Sequence, residues 1–283
     1  MTKKSSKPEE QKDLIQVPDG LMEDPWDDRV DDATGGGLPI IKIAYPNSKG
    51  LPEDFPTGHM FNTITSEDLG TELEIVWLAS VPGNGMFPED FSVDNKLLCS
   101  SNDGVVPCGD GEDPQPGPCK VRSEGHWVAK CPYLKWREHE KTGERQPPRC
   151  DQTVTLVLWD LAHQSPALMS VKKKALSSLG RLKNELKYRK GELKHPDFPQ
   201  LPVNFRWPVK ITLKQEKGKK GTYWLPIFNI VKTAPLADDL VKELLQAAVG
   251  LKQAAASISM QEIMEHDGTD VPEGEEVEGD TPF

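Results

Sequence analysis

The stretch from Val203 to Val231 reads VNFRWPVKITLK, QEKGKKG, TYWLPIFNIV. Two runs rich in β-branched and aromatic residues flank a short glycine-containing link, Gln215 to Gly221, which is the pattern of a β-hairpin. Side chains alternate along a strand, so Val209, Ile211 and Leu213 share one face while Lys210, Thr212 and Lys214 share the other. Pro208 and Pro226 suit edge or bulge positions, where a missing N–H breaks no ladder.

Outward from this hairpin, the apolar pattern alternates between two periods. On its N-terminal side, Val171, Ala175, Leu176, Leu179, Leu182 and Leu186 recur at helical spacing and predict a helix over Ser170–Lys190, weakened by Gly180. On its C-terminal side, Leu236, Leu240, Leu244, Ala247, Ala248 and Leu251 predict a second helix over Pro235–Ile258, with Pro235 in its first turn. Further upstream, LPIIKIAY (Leu38–Tyr45), Gly58–Ile64, LEIVWLA (Leu73–Ala79) and TVTLVLWD (Thr153–Asp160) read as strands. No internal repeat is visible. Several strands, one helix between strands and a closing hairpin predict an α+β, β-rich fold: a small barrel over residues 38–258, carrying an insertion at about 82–150.

The chain has 283 residues, of which 36 % are apolar, below the usual ~45–50 %. That supports one core but not 283 ordered residues, so residues 1–37 and 259–283 are expected to be disordered acidic ends. No window approaches the ~18 apolar residues of a membrane span. Met1–Gln16 is charged and lacks the apolar centre of a secretory signal, so a cytoplasmic protein is expected.

Net charge is −11, from 34 Lys+Arg against 45 Asp+Glu, and taken as an average it argues against nucleic acid. Resolved by position it argues the reverse. Met1–Asp32 holds ten acids against five bases, and Gln261–Phe283 holds nine acids and no Lys or Arg. Leu168–Thr222 holds fifteen bases and four acids, a window of +11. A basic block beside a detachable acidic end is an interaction pattern. The plain alternative is a solvated helix face and an exposed hairpin.

Single-strand binding needs cations for phosphates and flat rings for bases. The basic window interleaves them: Arg206 and Trp207 precede Lys210 and Lys214, and Tyr223 and Trp224 follow Lys219 and Lys220. Lys172, Lys173 and Lys174 add charge at the predicted helix start. These residues are the expected DNA contacts, with Trp207, Tyr223 and Trp224 stacking on bases. The competing role for each ring is packing, although Tyr223 and Trp224, as strand neighbours, cannot both point inward.

All five cysteines, Cys99, Cys108, Cys119, Cys131 and Cys150, lie in the Pro/Gly-rich insertion. An odd count without a secretory signal argues against a disulfide framework. Four thiolates around one structural Zn²⁺ would tether a segment that has little else to order it. The expected ligands are Cys99, Cys119, Cys131 and Cys150, with Cys108 as the spare and His126 as an outside candidate. Five ordinary free cysteines are the alternative.

The chain ends Glu275-Glu-Val-Glu-Gly-Asp280-Thr281-Pro282-Phe283. These last residues resemble the tip of bacterial and phage single-stranded-DNA-binding proteins, which end in an acidic tail closed by Asp-x-Pro-Phe. Asp280, Thr281, Pro282 and Phe283 match that tip position by position. The resemblance covers about ten residues. It implies an oligonucleotide-binding (OB) barrel, assembly on single-stranded DNA, and recruitment of proteins of DNA replication, recombination and repair through the tail. The physical logic is a terminal Phe in an apolar pocket, its carboxylate on a cation, and acids that steer toward a basic surface. The longer body, acidic N-terminal extension and cysteine-rich insertion depart from the bacterial pattern and look more like a phage replication protein, which would act in the host cytoplasm. Self-association stays open on these grounds.

No catalytic function is expected. The histidines are scattered, and no phosphate-binding Gly-rich loop, GxSxG or HExxH motif occurs. The alternative function is a zinc-stabilised, non-enzymatic interaction or regulatory module of a phage, acting on replication or transcription machinery.

Overall fold

The computed structural model describes residues 37–258 apart from 47, 49, 89–96, 109–116, 139–142, 144, 189–206, 219–220 and 232–234. Arg206, Lys219, Lys220, the tip Asp280–Phe283 and nearly all of the two acidic ends therefore lie outside the described residues. The elements in chain order are β1 (Ile40–Ile43), β2 (Met60–Asn62), β3 (Asp68–Gly70), β4 (Glu72–Met86), β5 (Cys99–Ser101), β6 (Lys120–Ser123), β7 (His126–Ala129), β8 (Arg137–Glu138), β9 (Arg145–Gln146), β10 (Asp151–Asp160), β11 (Ser165–Lys172), α1 (Ala175–Tyr188), β12 (Val209–Gly218), β13 (Gly221–Ile230) and α2 (Asp238–Ser257). One 3-10 turn, Pro132–Leu134, separates β7 from β8.

A 9-stranded sheet runs β13-β12-β4-β10-β11-β1-β2-β3, with β5 paired to the far end of β4. All neighbours are antiparallel except β1 and β11. The sheet curls into a half-barrel. Its longest strand, the 15-residue β4, is kinked where pairing with β10 passes from Val157↔Ala79 to Leu158↔Trp77 and skips Leu78. A bulge of this kind raises the local twist and bends the strand. The Trp77 indole N–H secures it by donating to Ala79 O at 2.9 Å and Ser80 Oγ at 3.0 Å.

The concave side holds one core. Ile41, Met60, Ile75, Leu158, Met169, Ile211 and Phe228 bring β1, β2, β4, β10, β11, β12 and β13 to it, and Leu179 and Leu182 of α1 cap it. The hydrogen-bond path leaves β13 and β3 as ends, but side chains bridge the gap. Tyr45, just after β1, meets Trp224 of β13 edge-on with ring centroids 5.6 Å apart. Gly58 lies under the same indole, so close that an added Cβ would stand 2.8 Å from Cζ2 and closer still to Cε2 and Nε1.

The convex side is covered in the middle by α2, whose Val241, Leu244 and Ala255 pack on Ile40, Val76, Leu78, Val157 and Leu168. Burial on both faces explains why LEIVWLA is apolar without alternation. Each of the Val, Leu and Ile side chains among them contributes roughly 1.5–3 kcal/mol by leaving water.

Among the boundaries that differ from those expected, four have a clear physical reason or bear on the hairpin. Ser170, Val171 and Lys172 end β11, paired with Thr155, Val154 and Thr153, instead of opening the helix. Val171 fits either period; its strand neighbours Ala167 and Met169, which share its core face, decide the matter. Lys173 at φ +51° breaks the strand before α1 begins. Helix α2 starts at Asp238, not Pro235, with Asp238 and Asp239 suitably placed against the helix dipole. Strand β4 runs on through Val81-Pro-Gly-Asn-Gly to Met86, into the segment expected as insertion. Pro82 is tolerated because β12 pairs only with Glu72–Ile75 and β5 only with Asn84–Met86, so one side of Pro82 has no ladder to break. The first strand of the hairpin starts at Val209 and runs past Lys214 to Gly218. The two faces predicted for this strand are observed: Val209 and Ile211 are buried, and Lys210 and Lys214 are on the opposite side.

Candidate nucleic-acid interface

The outward face of the β12–β13 hairpin carries Lys210, Thr212, Lys214 and Glu216, with Tyr223 directly across from Glu216. The turn from β11 to α1 adds Lys173 and Lys174. Three of these groups converge on one carboxylate. Tyr223 OH donates to Glu216 Oε2 at 2.8 Å, Lys214 Nζ donates to Glu216 Oε1 at 3.1 Å, and Lys174 Nζ lies 3.9 Å from Glu216 Oε2. Lys174 also donates to Tyr223 OH at 2.7 Å and sits 5.3 Å from that ring's centroid. The Tyr223 hydrogen bond, with Lys214 beside it, holds the Glu216 carboxyl below the usual carboxylate range. The same phenol holds the Lys174 ammonium above its ordinary value.

The other described cations of the candidate set are also engaged. Lys210 Nζ is 2.6 Å from Glu72, which raises the lysine's pKa, and Lys173 Nζ is 3.1 Å from Asp151. Lys172 is half-buried at the end of β11 and has interactions of its own. Reading the hairpin from sequence missed these acids. Glu72 and Glu74 were legible as the outward positions at the start of β4, but only the β12–β4 register, Lys210↔Glu74 and Thr212↔Glu72, brings them to the lysines. Exposed ion pairs of this kind are worth about 0–1 kcal/mol, so a polyanion can displace the carboxylates at little expense.

The three aromatic candidates separate. Tyr223 stands among the lysines. Trp224, its strand neighbour, points the other way and closes the half-barrel against Tyr45 and Gly58. Trp207 is half-buried and packs against the concave core.

In the insertion, β6–β7 and β8–β9 form two small hairpins outside the main sheet. What holds them is a third cluster of Met86, Cys99, Cys119, Leu134 and Cys150, with Cys131 packed against it. Cys99 opens β5, Cys119 precedes β6, Cys131 precedes the 3-10 turn and Cys150 precedes β10, and none is in a disulfide. Backbone bonds tie the cysteine loops together: Cys131 N donates to Cys119 O at 3.2 Å and Cys150 N to Tyr133 O at 3.0 Å. Burial, then the nearness of Cys131, Cys119 and Cys99, pushes the Cys150 thiol well up. Burial with Cys131 and Cys99 raises Cys119, against hydrogen bonds from Asn84 and Ser101. Cys108 lies outside the cluster, exposed, its Sγ accepting a hydrogen bond from Asn102 N at 3.2 Å. His126 is exposed on β7. The four sulfurs share a cluster, yet among the described residues no group of three or more His, Cys, Asp or Glu has a metal-holding arrangement as the side chains stand.

Among the described residues no helix is long and apolar enough to cross a membrane. No family model, curated protein or solved structure matches the chain.

Proposed function

We propose that this protein binds single-stranded DNA on an OB-like barrel, across the outward face of β12–β13 and the turn before α1, and recruits replication and recombination proteins through Asp280–Phe283. The observation that carries the reading is the grouping of charge. The +11 window of a −11 chain spans β11, α1 and the β12–β13 hairpin, and Lys174, Lys214 and Tyr223 meet around Glu216. Lys172, Lys173, Lys174, Arg206, Lys210, Lys214, Lys219 and Lys220 neutralise phosphates, and Tyr223 offers a ring for a base. Trp207 and Trp224 contribute by packing the wall beneath. The curled sheet, the helix capping its concave core and the Tyr45–Trp224 contact support the OB-like reading.

In the same proposal a structural zinc, bound by Cys99, Cys119, Cys131 and Cys150, stabilises the insertion. The support is chemical. Among the described residues Met86 and Leu134 are the only buried non-cysteine side chains of that cluster, too few to order two hairpins by burial alone, and four soft sulfurs are the donor set zinc favours.

The ion pairs to Glu72, Glu216 and Asp151 favour the second reading, in which the face docks a protein within a zinc-stabilised interaction or regulatory module. Fluorescence titration with oligo-dT over a salt series separates the two. Single-strand binding gives a log K against log [salt] slope of about −0.7 per phosphate, so at most about −6 for the eight cations. The double variant Lys210→Ala, Lys214→Ala then loses about 1.4 from the slope. A protein that ignores oligo-dT at about 50 mM salt, where electrostatic binding is strong, refutes the proposal.

A further inference from the structure

Trp77, Trp159, Trp207 and Trp224 are half-buried, but Trp127 and Trp136 are 59 % and 55 % exposed, and both lie on the insertion. Tryptophan is large and on average highly buried, so two such rings on one small substructure ask for a partner. Each has a cation beside it. In the β6–β7 hairpin the register Arg122↔Trp127 and Lys120↔Ala129 places Lys120, Arg122 and Trp127 on one face. The Arg145 guanidinium on β9 lies 5.0 Å from the Trp136 ring centroid. A third ring, Tyr133, has the guanidinium carbons of Arg137 and Arg149 at 5.9 and 5.6 Å. From Lys120 to Arg149 the sequence has eight bases (Lys120, Arg122, Lys130, Lys135, Arg137, Lys141, Arg145, Arg149) and four acids (Glu124, Glu138, Glu140, Glu144), a net +4. Glu138, across from Arg145, is the acid that pairs with this face in the ladder.

We infer that the insertion is a second contact surface for the same single strand, with Trp127 and Trp136 stacking on bases and Arg122 and Arg145 meeting the flanking phosphates. Flat exposed rings alternating with guanidinium groups are what sequence-tolerant single-strand binding uses. A protein partner would also use tryptophan and arginine, but the net +4 of the segment, with Lys120 on the same face as Arg122 and Trp127, favours a polyanion. The inference rests on the proposed single-strand binding and extends its path from the hairpin to the insertion, so it concerns long strands more than short ones.

The experiment uses the full-length chain and the variants Trp127→Ala, Trp136→Ala and the double variant, titrated with short (about eight-nucleotide) and long (about thirty-nucleotide) oligo-dT, the first within the ~4–16-nucleotide site of one OB fold and the second well beyond it. Both rings are exposed, so melting temperatures should match the wild type, and Trp→Phe variants keep a stacking face. The expected result is unchanged affinity for the short strand, a loss of about 5- to 150-fold per ring for the long one, and recovery of most of that loss with Phe. Unchanged affinity for both lengths overturns the second surface and leaves the hairpin site standing. Wild-type protein that binds neither length overturns the underlying reading instead.

Discussion

Replacing Gly58 by alanine should open the seam of the half-barrel. Gly58 has φ +83°, a left-handed conformation that costs an L-residue roughly 1–2 kcal/mol. Its missing Cβ also leaves the space that the Trp224 indole occupies: a Cβ there would stand 2.8 Å from Cζ2 and nearer to two other ring atoms. The indole is rigid and already packs edge-on against Tyr45, so it must leave its seat, at an overpacking cost of about 1–3 kcal/mol. Together the two effects predict about 2–5 kcal/mol of destabilisation. Gly50 supplies the control. Its φ is +77° with nothing within 4 Å of an added Cβ, so Gly50→Ala reads the backbone effect alone, about 1–2 kcal/mol. Urea unfolding of wild type, G50A, G58A, W224A and the double variant G58A/W224A measures both. With the indole removed, G58A should cost no more than G50A, leaving a coupling of about 1–3 kcal/mol in the cycle. If G58A and G50A are equally destabilised in the presence of Trp224, the indole is not seated on Gly58, and the closure of the half-barrel has to be rebuilt.

Purified protein should release about one zinc per chain on denaturation, in keeping with a single four-cysteine site. Cys150→Ser should lose the metal and lower the melting temperature, and Cys108→Ser should keep both; metal-free wild type rules the site out. In the proposed tail model, acids free to fold back would compete with phosphates for the same lysines, so deleting residues 270–283 should leave oligonucleotide affinity unchanged or raise it; a weaker deletion variant contradicts the tail model. His163, at the β10–β11 turn, is bonded through Nδ1 to Asp160 at 2.7 Å and faces Glu67 at 3.3 Å, and the Asp160 hydrogen bond holds its pKa above 6.5. The stability this pair adds is complete below the unfolded value near 6.5 and fades as pH rises through the raised folded value. Melting curves of wild type and His163→Gln should therefore converge at alkaline pH, and NMR titration of His163 at or below 6.5 would exclude the effect.

Much of the fold is legible along the chain. The two faces of β12 follow from Val209, Lys210, Ile211 alternating, and the α1 and α2 stripes follow from leucines at helical spacing. Strand β11 was hidden because Val171 and the residues before it satisfy both periods, and only pairing with β10 selects one. The end of β4 was hidden by Pro82 and two glycines, ordinary breakers that survive here beside an unpaired stretch. At the candidate interface the lysines were readable, but their partners were not. Glu72 is well over a hundred residues from Lys210 in sequence, and the register that joins them is a property of the whole sheet. The exposure of Trp127 and Trp136 had a signal in the sequence: a segment with so small a core has little room to bury a ring.

Charge segregation, the cysteine grouping and the face on which each β12 side chain stands are local properties. They depend on residue type and on a period of two, so the sequence alone determines them. Which ring stands among the lysines and which ring packs is decided by the curl of the sheet. Tyr223 and Trp224 are adjacent and chemically alike, but the bend at Leu78 and the return of Tyr45 and Gly58 to β13 give one an ion cluster and the other a seat in the seam. Long-range pairing sets that curl, and no local window contains it.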